Sequence, residues 1–179
     1  VDGGTGDDVL TGSQGADFLL GGDGNDLIVG GRGDDAAFLG AGNDTFVWNP
    51  GDGSDIVEGQ DGFDTMVFNG ANIAERIDLS ANGTRLRMTR DVGNIVMDAN
   101  AVEQVNLNAL GGGDAITAGD LTGTGVTTFN VSLAGTLGGT TGDGAADTVV
   151  VTGTTGNDNI VVASNVGGGV KVGGLATAV

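Results

Sequence analysis

Gly21-Gly22-Asp23-Gly24-Asn25-Asp26-Leu27-Ile28-Val29, GGDGNDLIV, sets the most flexible residues of the chain directly against strand formers. Nine residues upstream stands GSQGADFLL (Gly12 to Leu20), and nine before that GGTGDDVLT (Gly3 to Thr11). Downstream follow GGRGDDAAF (Gly30 to Phe38) and LGAGNDTFV (Leu39 to Val47). Trp48 and Asn49 break the phase, which resumes with PGDGSDIVE (Pro50 to Glu58) and GQDGFDTMV (Gly59 to Val67). The fourth position is always glycine: Gly6, Gly15, Gly24, Gly33, Gly42, Gly53 and Gly62. The sixth is always aspartate: Asp8, Asp17, Asp26, Asp35, Asp44, Asp55 and Asp64. The eighth is always apolar: Leu10, Leu19, Ile28, Ala37, Phe46, Val57 and Met66. A fixed period of this kind marks a stacked repeat architecture.

Three β-prone residues make a strand of only about 10 Å. Glycines turn the chain sharply, since they take positive φ without a Cβ clash. Strand, turn, strand and turn make one flattened coil of a parallel β-solenoid, so every second repeat stacks on the same edge. Asp8, Asp26, Asp44 and Asp64 then form one column, and Asp17, Asp35 and Asp55 the other. Eighth-position residues face inward from both sheets. Neighbouring carboxylates at the strand spacing of about 4.8 Å repel by roughly 3 to 4 kcal/mol at an effective dielectric near 20. Something positive must sit between the rungs. Ca²⁺ suits oxygen ligands in flexible geometry, whereas Mg²⁺ wants a tight octahedron and Zn²⁺ prefers nitrogen or sulfur.

The unit GGxGxDxUx resembles the nonapeptide of the RTX family, the calcium-binding repeats of secreted bacterial toxins, proteases, lipases and alginate epimerases. The resemblance covers about the first 68 residues. It implies an all-β, right-handed parallel β-roll with calcium in the turns, export by a type I system, and folding on reaching calcium-rich surroundings. It also implies that the seven aspartates are side-chain ligands. Carbonyls of Gly4, Gly6, Gly22, Gly24, Gly31, Gly33, Gly40 and Gly42 would complete the shells. About five ions are implied in this stretch. Pairs Asp8–Asp26, Asp26–Asp44 and Asp17–Asp35 lie 18 apart, while Asp35–Asp55 and Asp44–Asp64 lie 20 apart. Ser13 and Gln60 replace the second glycine, Leu39 and Pro50 the first, and Ala37 is a small core residue.

Composition narrows the function classes. The chain of 179 residues has 24 acidic and 6 basic side chains, a net charge of -18. Of the acids, 21 are aspartate and 3 are glutamate, Glu58, Glu75 and Glu103. That bias favours cation ligation or turn chemistry over a merely solubilising surface. The charge disfavours nucleic acid and anionic membrane as partners. Cysteine and histidine are absent, which excludes disulfides and thiolate or imidazole chemistry. No run is apolar and long enough to span a bilayer. Val1 sits in phase as an eighth position and Val179 ends inside LATAV, so the sequence reads as a fragment of a larger parent chain.

Two regions are expected, the calcium-binding roll at 1–68 and a divergent, β-rich continuation at 69–179 that covers one end of the roll. In the second region, short strands are predicted at RIDL (76–79), RLRM (85–88), NIVM (94–97), VNLN (105–108), FNVSL (129–133), TVVV (148–151), NIVV (159–162) and VKV (170–172). ANG at 81–83 marks a hairpin, so some antiparallel pairing is expected. Repeat fragments GGGDAIT and GTTGNDNIV put Asp114 and Asp158 at the aspartate position, Asp158 being the stronger metal candidate. Arg85, Arg87 and Arg90 form the one basic cluster. An acidic polysaccharide is one partner for it; a solvated strand face backed by Leu86 and Met88 is the simpler reading. Trp48 and Pro50 fit a local bend better than a sugar-stacking site.

The function these residues favour is a non-enzymatic calcium-binding module of a secreted or cell-surface bacterial protein. Its partners are calcium ions and the rest of the parent chain. An adhesive or fibre-forming assembly stacking through solenoid ends is the alternative. A polysaccharide-modifying enzyme fragment ranks lower, because the few basic residues form no acid–base constellation with the carboxylates.

Overall fold

The computed structural model describes residues 1–154, 161–164 and 170–173. Alternating burial follows from the eighth-position rule, and two sheets form around the side chains it turns inward. One sheet begins with β1 (Asp2–Thr5), β3 (Phe18–Asp23), β5 (Ala36–Ala41) and β7 (Ile56–Asp61). The facing sheet begins with β2 (Val9–Thr11), β4 (Leu27–Val29), β6 (Thr45–Trp48) and β8 (Thr65–Asn69). All neighbours in these two sets are parallel. The chain therefore crosses from one sheet to the other at every turn, as a β-roll requires.

All seven eighth-position side chains lie in the core, from Leu10 at 3% exposure to Met66 at 0%. β2 and β4 have the three residues expected and β6 and β8 run to four and five, but β3, β5 and β7 run to six. The turn glycines account for the extra length. Gly22 pairs with Gly4 on one side and Gly40 on the other, so half of each turn is itself a ladder.

The insertion Trp48-Asn49 shifts the register from 18 to 20 without breaking it, and Ala37 pairs with Val57 and Phe46 with Met66. Trp48 is fully buried and stacks on Phe68, ring centroids 4.1 Å apart and planes within 3°. Its indole N–H donates to the Gly53 carbonyl at 2.8 Å. The Asn69 amide donates to Asn49, and that of Asn108 to Asn69. Phe68-Asn69 is thus a second copy of the inserted pair. Burial rules out a surface sugar-stacking role for Trp48.

Beyond the roll the sheets continue with a change of direction. β9 (Arg76–Asn82), β10 (Arg85–Arg90) and β11 (Ile95–Asn100) form an antiparallel meander, and β11 then lies parallel to β7. The first hairpin turns at Gly83-Thr84, one residue past the predicted centre, with Asn82 opposite Arg85. β12 (Gln104–Asn108) is parallel to β8, and β14 (Thr128–Ser132) to β12. β13 (Ala115–Ala118) and β15 (Thr148–Val151) extend the first sheet from β9. β16 (Val161–Ser164) and β17 (Val170–Gly173) close the second sheet in antiparallel pairing. The continuation is therefore a mixed sheet pair rather than a uniform solenoid. No helix among the described residues is long and apolar enough to cross a membrane.

Candidate metal centre

The sixth-position aspartates end the turns and point back into them. On the first edge, the Oδ1 atoms of Asp26, Asp44 and Asp64 accept the backbone N–H of Asp8, Asp26 and Asp44, at 2.7 to 2.9 Å. On the opposite edge Asp35 and Asp55 accept from Asp17 and Asp35, at 2.8 and 2.9 Å. Each carboxylate thus reaches one coil back along its column. The two 20-residue intervals keep the same bond as the 18-residue ones, since Trp48 lengthens β6 and pairs with Phe68 and the turn that carries the aspartate is unchanged.

The second oxygen carries the argument. Oδ2 of Asp8, Asp26, Asp35, Asp44, Asp55 and Asp64 is buried with no hydrogen-bond partner in the chain. In the repeats of Asp8, Asp26, Asp35 and Asp64 it lies over the first glycine: a Cβ built on Gly21 would stand 2.5 Å from Asp26 Oδ2, and one on Gly59 2.6 Å from Asp64 Oδ2. Leaving a buried carboxylate oxygen unpaired costs more than an average hydrogen bond contributes. A column of such atoms fits a hard cation with oxygen ligands. Asp17 differs, because Ser13, at the second-glycine position, donates its N–H and hydroxyl to Oδ2.

Burial pushes the carboxyls of Asp35 and Asp44 above the ordinary range, and neighbouring carboxylates in the column push the same way. Burial takes Asp55 to about 7 and Asp64 to about 6. Without a counter-charge Asp55 therefore titrates near neutrality and Asp64 just below it. No cluster of three or more acidic side chains converges on one point among the described residues, so a bound ion needs main-chain oxygens as well.

The turn glycines supply candidates. Gly4, Gly6, Gly22, Gly24, Gly31, Gly33, Gly40 and Gly42 all have positive φ, between 88° and 141°. At Gly40 the requirement is double. Its φ is +119°, and a Cβ there would stand 2.0 Å from the Gly22 carbonyl oxygen. Gly4 shares the positive φ but faces open space. Gly40→Ala is expected to cost at least ~2 kcal/mol, more than Gly4→Ala. Urea melts of both variants in saturating calcium check this; equal losses would show that the close carbonyl is irrelevant. Gln60, which stands where a glycine is usual, still takes φ 75°.

Residues beyond the seven aspartates join the columns. Glu103 Oε2 accepts the Asp64 N–H at 2.7 Å and ends the first ladder. A further ladder begins at Glu75, whose N–H donates to Asp114 Oδ1, while the Asp114 N–H donates to Asp147 Oδ1. Fifth-position side chains form an outer ladder of opposite sense, Asp7 to Asn25 to Asn43, each accepting an N–H one coil on. Asp158 lies outside the described residues. The basic cluster separates. Arg85 binds Glu58 and Asp98 on the sheet surface, and Arg87 is exposed beside it, with Leu86 and Met88 buried behind. Arg90, expected beside them, is instead buried: it pairs with Glu75 and lies 5.2 Å from the centre of the Trp48 ring.

Comparison with known proteins agrees with this geometry. The family described as RTX calcium-binding nonapeptide repeat (4 copies) matches residues 2–37, 11–46 and 51–67. No curated protein and no solved structure matches the chain.

Proposed function

We propose, from the match of residues 2–46 and 51–67 to the RTX calcium-binding nonapeptide repeat, that the chain is the calcium-responsive folding module of a larger secreted bacterial protein. The observation that carries this reading is the set of buried, unpartnered Oδ2 atoms, one per turn over most of the roll. Bound calcium supplies positive charge and six to eight oxygen positions. The chain supplies the rest. Asp26, Asp35 and Asp44 each hold their carboxylate by a bond to the preceding coil, and the next carboxylate is held in turn by their own N–H. Every interior aspartate therefore serves two intervals, and binding is cooperative from coil to coil. The five aspartate–aspartate intervals of the roll suit about five ions. Because the unfolded chain has no preformed site, binding free energy becomes folding free energy. Low calcium before export and high calcium outside would then time the folding. No catalytic role is assigned to the module.

Calcium titrated into chelator-stripped protein tests this, followed by far-ultraviolet circular dichroism and Trp48 fluorescence with Mg²⁺ as control. A cooperative gain of β-structure with calcium, not reproduced by Mg²⁺, is expected, and burial of Trp48 against Phe68 should accompany it. A stripped chain that is already fully β at pH 8 and ignores calcium would remove the reading. Sedimentation across the same titration separates folding from assembly, because an adhesive or fibre-forming module would gain mass as well as shape.

A further inference from the structure

We propose that the ladder beginning at Glu75 holds a divalent cation of its own at Asp114, outside the matched repeats, with Arg90 as the fixed cation at its foot. The two rungs of this ladder differ in one respect. Both oxygens of Glu75 are engaged: Oε1 takes Arg90 Nε at 2.6 Å and also Nη2, and Oε2 accepts the Ala71 N–H at 3.0 Å. Arg90 Nη1 is spent on the Val92 carbonyl. Its side chain is 5% exposed and that of Glu75 0%, so this pair is part of the interior and has no cation to share.

Asp114 is one rung further on. It is 2% exposed, and its Oδ1 holds the Glu75 N–H while Oδ2 is buried without a partner. The charges that act on it are those of Asp147, Glu75 and Asp143, all of its own sign. Asp143 is committed to the turn, its two oxygens accepting from Gly112 and Ala145. Asp147 keeps one oxygen for the Asp114 N–H. Asp114 thus has three carboxylates as its charged neighbours, and Arg90 is bonded only to Glu75 among them. The unpartnered Oδ2 matches those of the roll in burial and in its place before a strand. A hard divalent cation with oxygen ligands meets that requirement. This inference uses the cation chemistry proposed for the roll, at a ladder the roll does not share.

Native mass spectrometry of the full chain in saturating calcium counts the ions in the parent, in Asp114→Asn and in Asp26→Asn. Asparagine keeps the Oδ1 acceptor for Glu75, and circular dichroism in calcium verifies that the strands persist. Asp114→Asn is expected to lose one ion, and the remaining sites to keep their calcium midpoint. Asp147→Asn, which leaves Asp114 in place, should weaken the same ion and serves where Asp114→Asn alters the fold. An unchanged count in Asp114→Asn together with a reduced count in Asp26→Asn overturns this site and leaves the roll intact. A parent that binds no calcium overturns both.

Discussion

Arg90→Met is expected to lower the stability of the calcium-saturated protein by about 3–5 kcal/mol, because it leaves the Glu75 carboxyl buried without its partner inside the fold. Glu75 is fully buried, and Arg90 supplies the positive charge within reach of it, through two nitrogens. The guanidinium also covers the Trp48 ring, a contact that contributes further when desolvated. Methionine fills a similar volume, so loss of packing is a minor part of the effect. Pairing the substitution with Glu75→Gln should recover most of the loss, since the amide still accepts the Ala71 N–H. Urea unfolding in saturating calcium, read by circular dichroism, measures both. A single variant within about 1 kcal/mol of the parent would show that Glu75 does not depend on Arg90 for its charge balance, against the usual cost of breaking a buried pair.

The same pair shows where the sequence was legible and where it was not. Apart from β13, strand positions from Arg76 to Val151 were readable from short apolar alternation, and the seven aspartates from their period; the strand read at 159–162 lies partly outside the described residues. The phase was lost at Phe68. Trp48-Asn49 is visible as an interruption because clean repeats flank it on both sides. Phe68-Asn69 is the same insertion again, stacked on the first, but the repeat after it keeps only Gly70, with Ala71 and Ile73 at the second and fourth positions. Counted from Gly70 past that pair, Glu75 falls at the sixth position and Ile77 at the eighth. Leu107-Asn108 stands next in the same stack, and counting from Ala109 puts Asp114 at the sixth position and Ile116 at the eighth. Treating the two-residue insertion as part of a 20-residue period recovers Glu75, which stands 20 past Asp55; Asp114, already readable from GGGDAIT, stands 39 past Glu75 because the meander intervenes. Nothing local in RLRMTR distinguishes Arg90 from its neighbours. Alternation puts Leu86, Met88 and Arg90 on one face, and only the register with Ile77 and Ile95 carries that arginine inside. The antiparallel meander was hinted at by Asn82-Gly83. Its insertion between β7 and β13 depends on long-range pairing that no short window contains.

Acidification is expected to act in opposite directions on the metal-free and calcium-loaded protein. Burial raises the carboxyls of Asp35 and Asp44, takes Asp55 to about 7, and takes Asp64 and Asp114 to about 6. In the unfolded chain they return to ordinary carboxylate values near 4. The metal-free fold therefore binds more protons than the unfolded chain between these limits, so its stability falls as pH rises. That contribution is complete below the unfolded value and lost as pH climbs through about 6 to 7. Relief of self-repulsion from a net charge of -18 acts in the same sense. Stripped protein should accordingly hold more β-structure at pH 5.5 than at pH 8. Calcium binding must expel those protons, so the calcium midpoint should move to higher concentration as pH falls over the same range. Circular dichroism in a calcium buffer whose chelator is insensitive to pH reads both effects. Calorimetry in buffers of different ionisation enthalpy counts the protons released. Asp55→Asn with Asp64→Asn should flatten the metal-free profile, because it removes the two most raised carboxyls of the roll and keeps an acceptor in each place. A calcium midpoint unchanged between pH 5.5 and 8 would mean that the buried oxygens carry neither protons nor calcium, and the columns would then need another source of neutralisation.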